Sequence, residues 1–144
     1  MPISGIQDYA HAHAHVRVTV TDIARSRDFY DKVFGFDVAV ELPTDADEKT
    51  KQDLWFVFGG VIYQFPGGLL GLRPSAKAGD AFDPNRVGLD HVSFAVADMT
   101  ELHNAATVLD ELGVAHGGVK VNAGFGLLEF CDPDGISLEL SCQA

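Results

Sequence analysis

The sequence predicts an α+β fold of two β-α-β-β-β modules whose mixed sheets curl around a common cleft. Three observations predict it. The segment His15-Val16-Arg17-Val18-Thr19-Val20-Thr21-Asp22 returns as His91-Val92-Ser93-Phe94-Ala95-Val96-Ala97-Asp98, both copies reading H-V-x-apolar-x-V-x-D. Each copy precedes a helical pattern that stops at a glycine, Gly35 in the first case and Gly113 in the second. Each helical pattern is followed by further short strand patterns.

In order, residues 1–14 are a lead-in, and the first strand is expected at about 15–20. The first helix is expected at about 23–34, because Ile23, Phe29, Tyr30, Val33 and Phe34 fit the helical period. Strands follow at about 37–42, within about 54–65, and at about 69–73. Pro43 to Asp53 is polar and charged and reads as an exposed loop. Module one thus runs over about 15–73 and a Gly-, Pro-, Ala- and Asp-rich linker over about 74–87. Module two runs over about 88–142. Its strand is expected at about 88–96 and its helix at about 99–112, with Met99, Leu102, Ala106, Leu109 and Leu112 on one stripe. Its last strands are expected near 119–121, 125–131 and 136–142. The whole of 1–144 is read as a single domain.

Composition narrows the function classes. The 144 residues carry a net charge of -11, which repels nucleic acid phosphates and anionic lipids. No apolar run reaches the ~20 residues of a membrane span. Met1-Pro2-Ile3-Ser4-Gly5 lacks a basic region followed by an apolar stretch, so the expected location is the cytoplasm. Cys131 and Cys142 have no C-x-x-C spacing and read as free thiols with packing roles.

Strand alternation places the polar residues. Val16, Val18 and Val20 form one face of the first strand, leaving His15, Arg17 and Thr19 opposite. Val92, Phe94 and Val96 leave His91, Ser93 and Ala95 opposite, and Ile136, Leu138 and Leu140 leave Ser137, Glu139 and Ser141. Asp132-Pro133-Asp134-Gly135 predicts a three-residue hairpin loop, a type I turn closed by a left-handed glycine. That loop length sets Glu129 across from Glu139, both on the face away from the helices.

His15, His91 and Glu139 then supply two imidazoles and a carboxylate, a set suited to one divalent ion of Fe, Mn, Ni or Zn with open positions for a chelating substrate. Arg17, on the same face as His15, fits an anionic group of a small-molecule substrate, or else an edge arginine paired with Glu129 or solvent. Glu129 fits a general base, or merely Arg17's partner. The alternation of His11, His13 and His15 suggests a second metal patch only weakly, because the lead-in is loose. His103 and His116 read as surface residues. Trp55, Phe56, Phe58, Tyr63 and Phe65 read mostly as core or cavity wall.

With these motifs together the chain resembles the vicinal oxygen chelate superfamily, which includes glyoxalase I, fosfomycin-resistance thiol transferases, extradiol dioxygenases and bleomycin-binding proteins. The resemblance spans about 15–142. It is carried by both H-V-x-apolar-x-V-x-D segments, Ser26-Arg27-Asp28-Phe29-Tyr30, Gly35-Phe36, Gly88-Leu89-Asp90-His91-Val92 and Asp132-Pro133-Asp134-Gly135-Ile136-Ser137-Leu138-Glu139.

The resemblance implies a glyoxalase-like fold with His15, His91 and Glu139 as metal ligands. Aligning Gly68-Leu69-Leu70-Gly71-Leu72 on Ile136-Ser137-Leu138-Glu139-Leu140 puts Gly71 opposite Glu139, so the fourth protein ligand of glyoxalase I is missing. The implied activities are dioxygenase chemistry first, thiol transfer second and glyoxalase-type or lyase chemistry third, with Glu129 and Glu139 in the catalytic roles. A protein that only sequesters a small antibiotic is the rival. A homodimer is also implied, with the site within one chain or shared between two.

Overall fold

The computed structural model describes residues 14–144. The chain divides into two compact units. The first runs up to Ile23 and resumes over Phe36–Ala78, and the second comprises Ala24–Gly35 with Gly79–Ala144.

The first unit is built on strands β1 (His15–Thr19), β2 (Asp37–Glu41), β3 (Val61–Phe65) and β4 (Gly68–Arg73). They form one sheet in the order β1-β4-β3-β2, with β1 and β4 parallel and the other pairs antiparallel. Val18, Val20, Leu70, Leu72, Val61 and Tyr63 are buried, as alternation requires, while His15 and Thr19 on the opposite face are exposed.

The segment read as a loop contains α2 (Glu48–Asp53). Asp47 caps it, its carboxylate accepting the Thr50 N–H at 2.7 Å, and Lys49–Asp53 and Lys51–Glu48 pairs brace it. None of its residues is buried, so there was no apolar stripe to reveal it. A 3₁₀ turn follows at Trp55–Val57, in place of the early part of the strand expected within 54–65. Its consequence is exposure: Trp55 is 67% exposed, and Phe56 and Phe58 are also exposed, whereas Tyr63 on β3 is buried. Of the aromatics read as mostly core or cavity wall, Tyr63 is core, whereas Trp55, Phe56 and Phe58 are not core residues.

The second unit repeats the topology with β5 (Val92–Ala95), β6 (Lys120–Asn122), β7 (Phe125–Cys131) and β8 (Ser137–Gln143), in the order β5-β8-β7-β6. Again the first and last strands pair in parallel. β5 is shorter than expected, and His91 lies one residue before it.

Two helices belong to this unit. α3 (Met99–Glu111) starts at Asp98, the last residue of the repeated motif, which accepts the Glu101 N–H at 3.0 Å. It ends before Gly113, whose φ is +69. Its Leu102 and Leu109 are buried, and Gly126 on β7 leaves room for Met99 and Leu102 beside it.

The other helix is α1 (Ile23–Val33), which follows β1 in sequence but packs in the second unit from Ala24 onward. Phe34, just past its end, meets Phe94 and Phe130 at 4.9 and 6.1 Å between ring centres. The Tyr30 hydroxyl donates to Asp132 at 3.1 Å, and Arg25 pairs with Asp134 at 2.7 Å. The two motif segments around Phe29-Tyr30 and Asp132-Pro133-Asp134-Gly135 thus hold each other.

The turn has the geometry its sequence predicts. Gly135 has φ +81, its N–H donates to the Asp132 carbonyl at 3.0 Å, and Glu129 pairs with Glu139 across β7 and β8. Buried Asp132 also takes the Asp134 and Ile136 N–H groups on its Oδ1, each at 2.9 Å. Burial pushes the Asp132 carboxyl up, and the bonds from Ile136, Asp134 and Tyr30 pull it back.

Asp132→Ala strands these donors and is expected to cost about 2–3 kcal/mol in chemical denaturation. Asp132→Asn keeps the acceptor without the charge and is expected to cost less at neutral pH. The sign follows from the raised folded pKa. The native state holds this proton more tightly, so the group favours folding below its unfolded pKa and that contribution fades as pH rises through the folded one. The gap between aspartate and asparagine should therefore widen on acidification, and a gap that shrinks would contradict this origin.

Candidate metal and substrate site

His91 and Glu139 meet in the second unit. A cleft of about 500 Å³ is lined by Asp90, His91, His116, Glu129, Cys131 and Glu139 among others. β8 carries Glu139 into it because Leu138 and Leu140 take the opposite face. The His91 Nε2 lies 4.0 Å from the Glu139 Oε1, too far for a hydrogen bond.

Each of the two is oriented by a neighbour that sequence reasoning left out. Asp90 Oδ1 lies 2.6 Å from His91 Nδ1, so Nδ1 carries the hydrogen and the neutral ring keeps its free lone pair on Nε2, the atom nearer Glu139. The Ser93 hydroxyl donates to Glu139 Oε1 at 2.7 Å and contacts the Ser141 hydroxyl at 3.0 Å. A histidine backed by a carboxylate and a carboxylate backed by a donor are the outer supports that metal ligands need. The signals were present: Asp90 directly precedes His91, and Ser93 shares its face of the strand pattern.

The Asp90 hydrogen bond raises the His91 pKa above the ordinary histidine value. Burial opposes this, and the negative charges of Glu139, Asp90 and Glu129 reinforce it.

Glu129 sits opposite Glu139 in register, with Lys120 Nζ at 3.4 Å from its carboxylate. His116, expected at the surface, is instead largely buried. Its Nδ1 accepts the Gly118 N–H at 3.1 Å and its Nε2 meets Asp110 at 3.0 Å, so both ring nitrogens are engaged. Cys131 is a free thiol at an exposed residue, and partial desolvation of the thiol with the nearby Asp132 charge raises its pKa, which disfavours a thiolate nucleophile. Cys142 is a buried free thiol against Met99.

His15 opens β1 in the first unit and is exposed. Among the described residues, no group of three or more His, Cys, Asp or Glu side chains is assembled as a metal cluster. His11 and His13 lie outside the described residues.

Arg17 also belongs to the first unit. It donates to the Phe56 carbonyl, and its guanidinium lies 5.5 Å from the centre of the Phe58 ring. Register pairs Arg17 with Gly71 on β4, and Ser93 with Glu139 on β8. Arg17 and Ser93 are equivalent in the two copies of the motif, so Gly71 and Glu139 are equivalent too, in agreement with the Leu-x-Leu alignment. A Cβ at Gly71 would lie 2.9 Å from Arg17 Cγ, so the arginine uses the space that a side chain there would need.

Among the described residues, no helix is long and apolar enough to cross a membrane. A family model described as Glyoxalase/Bleomycin resistance protein/Dioxygenase superfamily matches residues 12–140. No curated protein gives a match. Several solved structures do. A glyoxylase/bleomycin resistance protein/dioxygenase domain from Frankia sp. EAN1pec is 27% identical, with TM-score 0.72, covering 92% of this chain and 98% of that one. A lactoylglutathione lyase from Agrobacterium tumefaciens is 22% identical, with TM-score 0.67 and coverage of 92% and 94%. A genomically encoded fosfomycin resistance protein from Listeria monocytogenes is 12% identical, with TM-score 0.67 and coverage of 93% and 92%, and at such identities the likeness is one of fold. With the family model spanning nearly all of both units, the chain belongs to the Glyoxalase/Bleomycin resistance protein/Dioxygenase superfamily.

Proposed function

We propose that the chain is a divalent-metal-dependent enzyme acting on a small molecule that binds through neighbouring oxygens. The observation that carries this is the chain of contacts from Asp90 through His91 to Glu139 and Ser93. It leaves one imidazole lone pair and one carboxylate in the same cleft, each braced from behind. His91 and Glu139 would hold the ion, and His15 is the third ligand by its place in the repeated motif.

An ion of Fe, Mn, Ni or Zn supplies Lewis acidity and a chelation point for two substrate oxygens. Asp90 fixes the His91 tautomer. Ser93 fixes the Glu139 rotamer. Glu129, paired with Lys120 at the cleft wall, would take a proton from a substrate hydroxyl. Arg17 orients an anionic group. Dioxygenase chemistry ranks first, because two histidines and one carboxylate are the ligands of non-haem Fe(II) oxygenases. Thiol transfer and glyoxalase-type chemistry follow. The exposed Trp55, Phe56 and Phe58 favour a second reading, a protein that binds an apolar small molecule without reaction.

Oxygen uptake and thiol consumption, measured on anaerobically loaded protein, distinguish these. Oxygen consumed with a catechol in the presence of Fe(II), and lost in Glu139→Ala, supports dioxygenase chemistry. Thiol consumed with an epoxide phosphonate moves the assignment to group transfer. Tight ligand binding with neither oxygen nor thiol consumed by the metal-loaded protein, and no effect of Glu139→Ala, overturns the enzyme in favour of sequestration.

The outer supports give a further expected result. Ser93→Ala and Asp90→Asn should each weaken metal binding by about 10- to 100-fold in a competition titration without unfolding the protein. Unchanged affinity in both would remove the argument for His91 and Glu139 as ligands.

A further inference from the structure

The chain has 21 Asp and Glu against 10 Lys and Arg, so an arginine without a carboxylate is unusual in it. Arg25 pairs with Asp134, Arg27 with Asp31 and Arg86 with Asp83. Among the described residues, Arg17 and Arg73 have no carboxylate partner, and the Nε–H of each is buried without an acceptor. Both belong to the first unit, on the parallel neighbours β1 and β4. Both guanidinium groups also gather at one ring, at 5.5 and 4.1 Å from the centre of Phe58.

Local backbone supports this gathering. Gly71 lets Arg17 lie against β4, where a Cβ would meet Arg17 Cγ at 2.9 Å. Phe58 has φ +55, the left-handed region that a bulky residue rarely adopts. The Trp55 ring lies edge-on to Phe58 at 6.0 Å and is 67% exposed. Two like charges drawn to one aromatic repel each other until an anion neutralises them.

We propose that Arg17, Arg73 and Phe58 form a binding site for a small organic acid, its oxyanion shared by the two guanidinium groups and its aromatic or apolar body lying against Trp55. Carboxylate and phosphonate offer the same recognition chemistry. The site shares Arg17 with the function proposed above and so deepens that reading, but it needs no metal, which allows the two to fail separately.

Trp55 is the single tryptophan, so its fluorescence reports on this site directly. The full chain, as purified and after chelator treatment, is titrated with benzoate, with phenylphosphonate and with neutral benzamide. The expected result is a saturable change with one or both acids, the same with and without chelator, and none with benzamide. Arg73→Gln and Arg17→Gln, each checked for native circular dichroism, should weaken the acid response at least about tenfold. Gly71→Ala should weaken it through the displaced Arg17.

The site is overturned by an absence of saturable change with either acid, by an equal response to benzamide, or by undiminished affinity in whichever arginine variant folds. A response lost on chelation also overturns it, and would assign acid binding to the metal site instead. Loss of metal binding in Glu139→Ala with the acid response intact would leave this site standing alone.

Discussion

Gly60→Ala is expected to destabilise the protein by about 4 kcal/mol or more, at the upper end of what single substitutions do. Gly60 is buried where the 3₁₀ turn enters β3, and its N–H donates to the Val57 carbonyl at 2.9 Å. A Cβ there would lie 1.9 Å from the Leu72 carbonyl oxygen and 3.0 Å from Pro74 Cδ. The obstacle is backbone, and no rotamer change relieves it. The neighbouring Val61 pairs with Leu72, so relief requires the start of the β3–β4 ladder to part, in the middle of a buried face.

Gly59→Ala is the control. Gly59 has φ +75 and open space around its Cβ position, so the cost is that of the left-handed conformation alone, about 1–2 kcal/mol. Chemical denaturation of both variants checks the difference. Equal losses would mean that the contact with Leu72 is relieved more easily than the sheet pairing implies.

Glu139→Ala is expected to lower metal affinity by more than about 100-fold, beyond the loss of an outer support. Its fold should survive, because the side chain lies on the cleft face of β8 while Leu138 packs behind it. The Ser93 hydroxyl loses its carboxylate but keeps Ser141 at 3.0 Å, so no buried donor is stranded. Calorimetric titration with Mn(II) or Zn(II), beside a thermal melt, separates the two effects. Affinity that stays within a few-fold of wild type in a folded variant would remove Glu139 from the ligand set. The same experiment on His15→Ala tests the third ligand that the repeated motif implies.

Much of the fold was legible because strands with one buried face must alternate. Val16-Val18-Val20 and Leu138-Leu140 announced their faces, and turn chemistry fixed the rest. The Asp-Pro-Asp-Gly loop length set Glu129 opposite Glu139, and the structure has that register. The module repeat even revealed that Gly71 stands where Glu139 stands.

The illegible parts have physical causes. α2 is held by a cap and by exposed ion pairs, with no apolar periodicity. The 3₁₀ turn placed Phe56, 39 residues away, and Phe58 beside Arg17, and nothing local in the sequence encodes such contacts. α1 packs with the second unit although it is contiguous with β1, because tertiary partners such as Asp132 and Phe94 decide where an amphipathic helix docks. In the candidate site, residue types and faces were legible. The bracing contacts of Asp90 and Ser93 depended on rotamers, which only coordinates reveal.

The most direct test of a metal-dependent site is the metal content of tag-free protein purified anaerobically, wild type beside Glu139→Ala. The expected result is about one Fe, Mn, Ni or Zn per chain in wild type, lost in the variant. Wild type that carries no metal, and takes up none when Fe(II), Mn(II), Ni(II) and Zn(II) are supplied, would contradict the metal-dependent enzyme.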